Sequence, residues 1–137
     1  MYKPVWFKAY ELVDSATYKK FGENAIQLFN PLALMAIDKI RERFGVPVTI
    51  NNWYGGGPFR WRGLRTILCN EGAQWSQHRV GGAFDLDVEG YSAEEVRLEI
   101  LNKKGCGLIT CIEADVNWVH IDVRNIDVSN GILIVHP

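Results

Sequence analysis

Two short runs of strictly alternating character constrain this chain most: Ala83-Phe84-Asp85-Leu86-Asp87-Val88 and Trp118-Val119-His120-Ile121-Asp122-Val123. In an extended chain successive side chains point to opposite faces, so Phe84, Leu86 and Val88 share one side while Asp85 and Asp87 share the other. The second run repeats the pattern, with Val119, Ile121 and Val123 opposite Trp118, His120 and Asp122. If both strands lie in one sheet over one core, Asp85 and His120 point into the same space. The first strand is entered from Ser76-Gln77-His78-Arg79-Val80-Gly81-Gly82, a polar loop carrying a histidine and closed by two glycines that allow a sharp, close-packed turn. Imidazole nitrogen and carboxylate oxygen are donors that Zn²⁺ accepts, and His78, Asp85 and His120 together make three, leaving a fourth position to water or substrate.

At 137 residues the chain fits a single domain spanning 1–137, large enough to bury a core without staples. Its formal net charge of −1 hides a division: residues 1–70 carry ten Lys/Arg against five Asp/Glu, and residues 71–137 carry five against eleven. That division implies a basic wall facing an acidic one, not a polybasic nucleic-acid surface. Cys69, Cys106 and Cys111 are odd in number and lack CxxC spacing, so they read as reduced, mostly buried thiols. No run approaches the roughly 18 apolar residues of a membrane span, and the N-terminus shows no signal peptide. Synthesis in the cytoplasm is expected, with no membrane partner and a monomeric state.

Residues 5–29 read as short helical pieces with Tyr10, Leu12, Val13, Tyr18 and Phe21 as core contacts and Gly22 as a stop. Asn30-Pro31 starts the main helix, in which Leu34, Ile37, Ile40, Arg41 and Phe44 follow at helical spacing until Gly45. Val46 to Ile50 is β-rich, and residues 51–58 form a loop. Ser92-Ala93-Glu94-Glu95 is a capping box ahead of a helix through about Lys104. Residues 108–113 read as a strand, 114–117 as a turn, and 118–123 as the antiparallel partner, which brings Glu113 close to His120. A last strand follows Asn130-Gly131.

Residues 59–66 read Phe-Arg-Trp-Arg-Gly-Leu-Arg-Thr. Interleaved Arg and Trp can stack on single-stranded nucleic acid, but the chain as a whole is not basic, so nucleic acid is set aside as a partner. An arginine recognising a carboxylate beside a metal fits better, with at least one of the three solvated or paired with Asp or Glu. Asp87 and Asp122 are expected to orient a histidine ring or pair with arginine. Trp118 either lines a cleft or packs as an ordinary aromatic. His136 lies outside the constellation, and Ser76, with no histidine base paired to it, is a poor nucleophile.

Ser76-x-His78-x-x-Gly81-x-Ala83-x-Asp85, followed by Trp118-x-His120-x-Asp122, resembles the zinc D-Ala-D-Ala carboxypeptidase and peptidoglycan endopeptidase family, which includes small phage lysins. Gly63-Leu64-Arg65 and the helix and strand before it extend the resemblance, while residues 1–30 match only loosely. The resemblance implies an α+β fold of hedgehog-like type, a mainly antiparallel sheet with helices packed on one side. It also implies His78, Asp85 and His120 as zinc ligands, Ser76 in contact with substrate, and Arg65 as the arginine that holds substrate near the metal. In the activity expected here Arg65, joined by Arg62, binds a substrate carboxylate or steadies the oxyanion. One departure concerns the catalytic base: many members carry a glutamate three residues before the last histidine, where this chain has Asn117. Glu113 is the nearest glutamate and the expected base; Asp115 reads as a turn former.

The expected activity is hydrolysis of peptidoglycan stem or cross-bridge peptides. The competing reading is a catalytically weak or inactive zinc-binding module of a phage or mobile-element protein. Without a signal peptide, the wall would be reached only on lysis, by a holin-like route or as part of a particle.

Overall fold

The computed structural model describes residues 1–137. The main helix forms as its end signals dictate. In α2 (Pro31–Phe44) the Asn30 side chain accepts from the Leu32 amide at 2.9 Å, Pro31 occupies the first helical position, and Gly45 closes the helix at φ 68°. Ala33, Leu34, Ala36, Ile37 and Ile40 make its buried face. Asp38 is buried on the same helix and is satisfied by the Tyr2 hydroxyl and the amides of Val5 and Trp6, so the N-terminal segment is tied down onto the helix. Between them run a short 3₁₀ turn at Ala9–Glu11, helix α1 (Ser15–Phe21) capped by Asp14, and a 3₁₀ stretch over Gly22–Leu28. Leu12 and Val13 are fully buried, whereas Tyr10, Tyr18 and Phe21 are only half-buried.

The sheet has five strands: β1 (Val48–Thr49), β2 (Ala83–Val88), β3 (Cys111–Glu113), β4 (Val119–Asp122) and β5 (Leu133–Val135), in the order β1-β2-β4-β3-β5. All neighbours are antiparallel except β3 and β5, which run parallel. The molecule is therefore a single α+β domain with a mainly antiparallel sheet. Phe84, Leu86, Val88, Ile112, Val119 and Ile121 form its apolar face, covered by α2 and by Val96 and Ile100 of α3 (Ala93–Asn102). Phe84 is fully buried and stacks on Phe29 at 5.3 Å; truncating such a ring to alanine costs about 3–5 kcal/mol.

Several expected elements are shorter than their sequences predict: β1 and β4 lose a residue or two at each end, α3 is cut at its C-terminal end and β3 at its start. Helix α3 has the predicted Ser92/Glu95 box but stops at Asn102, because Lys104, Gly105, Cys106 and Gly107 all take positive φ and turn the chain back. Residues 108–110 consequently serve as an approach to β3, which spans only Cys111–Glu113.

Candidate metal centre

The alternating runs pair in the register their polar faces require. Asp85 of β2 stands directly opposite His120 of β4, and Phe84 opposite Ile121. On the other edge of β4, Ile112 of β3 stands opposite Ile121, so the next pair outward brings Glu113 beside His120, with Glu113 Oε1 4.0 Å from His120 Nδ1. Asp85, His120 and Glu113 thus form a row across three adjacent strands, on the face away from the apolar core.

His78 reaches this row from the loop. The Ser76 hydroxyl caps a 3₁₀ turn (Gln77–Val80) by accepting from the His78 amide, and Gly81 ends the turn at φ 71°. A Cβ on Gly81 would lie 2.3 Å from the Leu28 carbonyl, so only glycine lets this turn press against the N-terminal segment. Gly63 works in the same way: a Cβ there would lie 2.0 Å from the Leu12 carbonyl. Its close approach aims the Gly63 carbonyl at His78 Nδ1, 2.9 Å away. A carbonyl only accepts, so Nδ1 carries the proton and Nε2 faces Asp85 Oδ1 at 3.3 Å. His120 is held by opposite atoms: Nε2 meets Asp122 Oδ2 at 2.9 Å and Nδ1 meets Asp85 Oδ1 at 2.8 Å.

The charges of this cluster are tightly coupled. Burial alone would push the Asp85 carboxyl up, but hydrogen bonds from His120 and His78 outweigh it and hold Asp85 far below the usual carboxylate range. Burial disfavours the His120 cation, yet the bonds to Asp122 and Asp85 prevail and raise it to about 9. Asp122 is fully buried; against that burial, His120 and Arg124 bring it down to about 2. Arg124 grips Asp122 with Nε at 2.8 Å and Nη2 at 2.6 Å.

Around the row opens a cavity of about 540 Å³, lined among others by Arg65, Ser76, His78, Asp85, Glu113 and His120. Arg65 donates from Nε to the Trp61 carbonyl and from Nη2 to Asp85 Oδ2 at 3.1 Å. Arg62 does not line this cavity; it pairs with Asp87 at 2.7 Å, lies over the Phe59 ring, and lines an adjoining cavity. Trp118 lines both. The predicted roles of Asp87 and Asp122, arginine pairing and ring orientation, are both seen. Asp115 is a turn residue at φ 62° that bonds His136 and does not line the cavity, while Asn117 lines a different cavity with Arg97.

Two contributors escape sequence reasoning. Residues 71–77 form one wall of the cavity, and Arg79 fastens that segment by donating to the carbonyls of Thr66, Cys69, Glu71 and Ala73. Arg97, buried in α3, donates to the Val116 and Trp118 carbonyls and fixes the turn between β3 and β4. The signal for Arg79 is its place next to His78 inside an otherwise polar motif; nothing local marks Arg97.

The donor set fits zinc. His78, Asp85 and His120 each offer an atom within 4.8 Å of the other two. Tetrahedral donors about 2.0–2.1 Å from a zinc ion stand about 3.3 Å apart, the separation found between His78 Nε2 and Asp85 Oδ1. Both outward nitrogens already have the acceptors that metal-binding histidines use. Compared with known proteins, the chain matches the family Peptidase M15 over residues 6–122, reaching well into the N-terminal segment. Neither the curated proteins nor the solved structures compared with it gave a match. With the family match covering most of the chain, and a buried His-Asp-His cluster suited to a metal at its centre, the protein belongs to the peptidase M15 family.

Proposed function

We propose that this protein is a zinc-dependent peptidase that hydrolyses stem or cross-bridge peptides of peptidoglycan, as a D-Ala-D-Ala carboxypeptidase or an endopeptidase. The observation that carries the reading is the row Asp85, His120, Glu113 with His78 facing it, set in the floor of an open cleft. Zinc held by His78 Nε2, Asp85 Oδ1 and His120 Nδ1 would supply Lewis acidity, polarising a peptide carbonyl and lowering the pKa of water towards ~7.

The chain's own residues do the rest. Glu113 keeps a quarter of its side chain exposed to the cleft, and accepts the proton of the attacking water before passing it to the leaving amine. Arg65, anchored through Nε and Nη2, has Nη1 unengaged by protein and steadies a substrate oxygen. Ser76 accepts from the His78 amide and retains its hydroxyl hydrogen to donate to substrate. Arg62 meets the substrate further along, in the adjoining cavity. Asp122 and the Gly63 carbonyl keep the two rings turned inward.

The test is incubation of zinc-loaded protein with muropeptides, following new amines by mass spectrometry. Release of stem or cross-bridge fragments is expected. No cleavage with one equivalent of zinc bound overturns the reading in favour of a zinc-binding module of a phage or mobile-element particle.

A further inference from the structure

Of the arginines in the run from Phe59 to Thr66, Arg62 pairs with Asp87 and lies over the Phe59 ring, and Arg65 pairs with Asp85. Arg60 and Trp61 are left without a role. Both line the cavity that adjoins the metal centre, and both also line a further depression of about 520 Å³, whose other walls include Asp14, Ser15, Lys19 and Trp53. That depression shares no residue with the cavity around the metal donors.

Its tryptophans are not there to fill the core. Trp53 and Trp61 are half-buried, and neither belongs to the apolar core or packs against it. Trp53 is fixed in orientation, since its Nε1 donates to the Val13 carbonyl at 2.7 Å. Trp61 Nε1 makes no hydrogen bond within the protein and is open to solvent. The cations are equally free: Lys19 and Arg60 are exposed, and neither is in an ion pair. Asp14, the one carboxylate in these walls, is buried and occupied by Thr17, whose amide and hydroxyl both donate to it. Glu71 lines the adjoining cavity with Arg60 but forms no ion pair with it.

The negative face of an indole holds a flat ring or the C–H-lined face of a sugar, and unpaired cations hold an anion. Single-stranded nucleic acid offers rings and anions too, but it carries a phosphate on every residue and follows a long basic track. Lys19 and Arg60, in a chain of net charge −1, do not make such a track. Two ring platforms beside two cations and one carboxylate match a ligand with more rings than charges. We propose that this depression binds an acidic oligosaccharide, with sugar rings on Trp53 and Trp61 and a carboxylate held by Lys19 and Arg60. The site lies outside the metal centre and its ligand has no peptide bond, so the inference goes beyond the peptidase reading and does not depend on it.

The zinc-loaded full chain is titrated calorimetrically with a peptide-free oligosaccharide of alternating N-acetylglucosamine and N-acetylmuramic acid, with the methyl ester of its carboxylates, and with oligothymidylate. The acid should bind, and esterification should weaken it by roughly threefold to fivefold, the scale of an exposed ion pair. The double variant Lys19→Gln/Arg60→Gln should bind acid and ester alike. Trp61→Ala should weaken both by roughly threefold to tenfold, the scale of a ring contact, with circular dichroism and zinc content unchanged. An acid preference that persists in the double variant, as direct binding of the carboxylate to zinc would give, overturns the inference. So do no binding, no acid preference, unchanged affinity in a folded Trp61→Ala protein, or oligothymidylate binding at least as tight. If Trp61→Ala does not fold, the double variant decides alone, since both of its side chains are exposed. Absence of muropeptide cleavage would overturn the peptidase reading and leave each of these binding outcomes as stated.

Discussion

His78 and His120 present opposite nitrogens to the same point, Nε2 from one and Nδ1 from the other, because their remaining nitrogens are claimed by the Gly63 carbonyl and by Asp122. Replacing either ring leaves two donors, too few to hold zinc, so His78→Ala and His120→Ala should each lose most of the one equivalent expected in wild type, as measured by elemental analysis. Glu113 is different in kind. Glu113→Gln keeps size and hydrogen bonding but not the proton acceptor, and should lower turnover on a muropeptide by roughly 10²-fold or more with zinc content unchanged. Near-normal turnover would move the base elsewhere. Asn117→Glu should leave activity within about twofold, since position 117 opens onto another cavity.

Among the elements, the wall of residues 71–77 depends on Arg79, whose guanidinium gathers four carbonyls of one loop. Arg79→Ala should raise KM by roughly tenfold while kcat and zinc content stay within about twofold; a matching fall in kcat would mean that the loop also shapes the reacting centre. Legibility in the sequence follows the range of the forces involved. The alternation of 83–88 and 118–123 announced the strands, their polar face and the meeting of Asp85 with His120, because a single buried face fixes register. The helix signals at Asn30-Pro31 and Ser92/Glu95 are likewise local and were readable. The early end of α3 was not, since it depends on a run of left-handed residues that includes Lys104 and Cys106. Nor was the parallel pairing of β5 with β3, or the reach of Arg97 from a helix to the β3–β4 turn, both of which are set by tertiary packing.

For the molecule as a whole, the metal-free centre is a cluster of coupled charges, and its contribution to stability has a pH window with a sign on each side. His120 is raised from 6.5 to about 9, so its contribution is complete below about 6.5 and is lost as pH rises through about 9. Asp122 is lowered from 3.8 to about 2, so its contribution is complete above about 3.8 and is lost as pH falls through about 2. Thermal melts of the metal-free protein should therefore show the centre's contribution greatest between about pH 4 and 6.5, with Tm falling toward pH 9; a Tm that rises over that alkaline interval would contradict the ring's hydrogen-bond assignment. Zinc at 100 times its Kd should add about 2.7 kcal/mol. The order of strands says where that added stability acts in time. The β3–β4 hairpin is local in sequence, but Asp85 lies 35 residues before its partner His120, so the donors come together only when the hairpin seats on β2. A contact made that late in folding contributes little to the barrier for going forward and most of its strength to the barrier for going back. The centre is then a latch: in stopped-flow measurements, zinc at that concentration should leave the folding rate within about twofold and slow unfolding by roughly 100-fold.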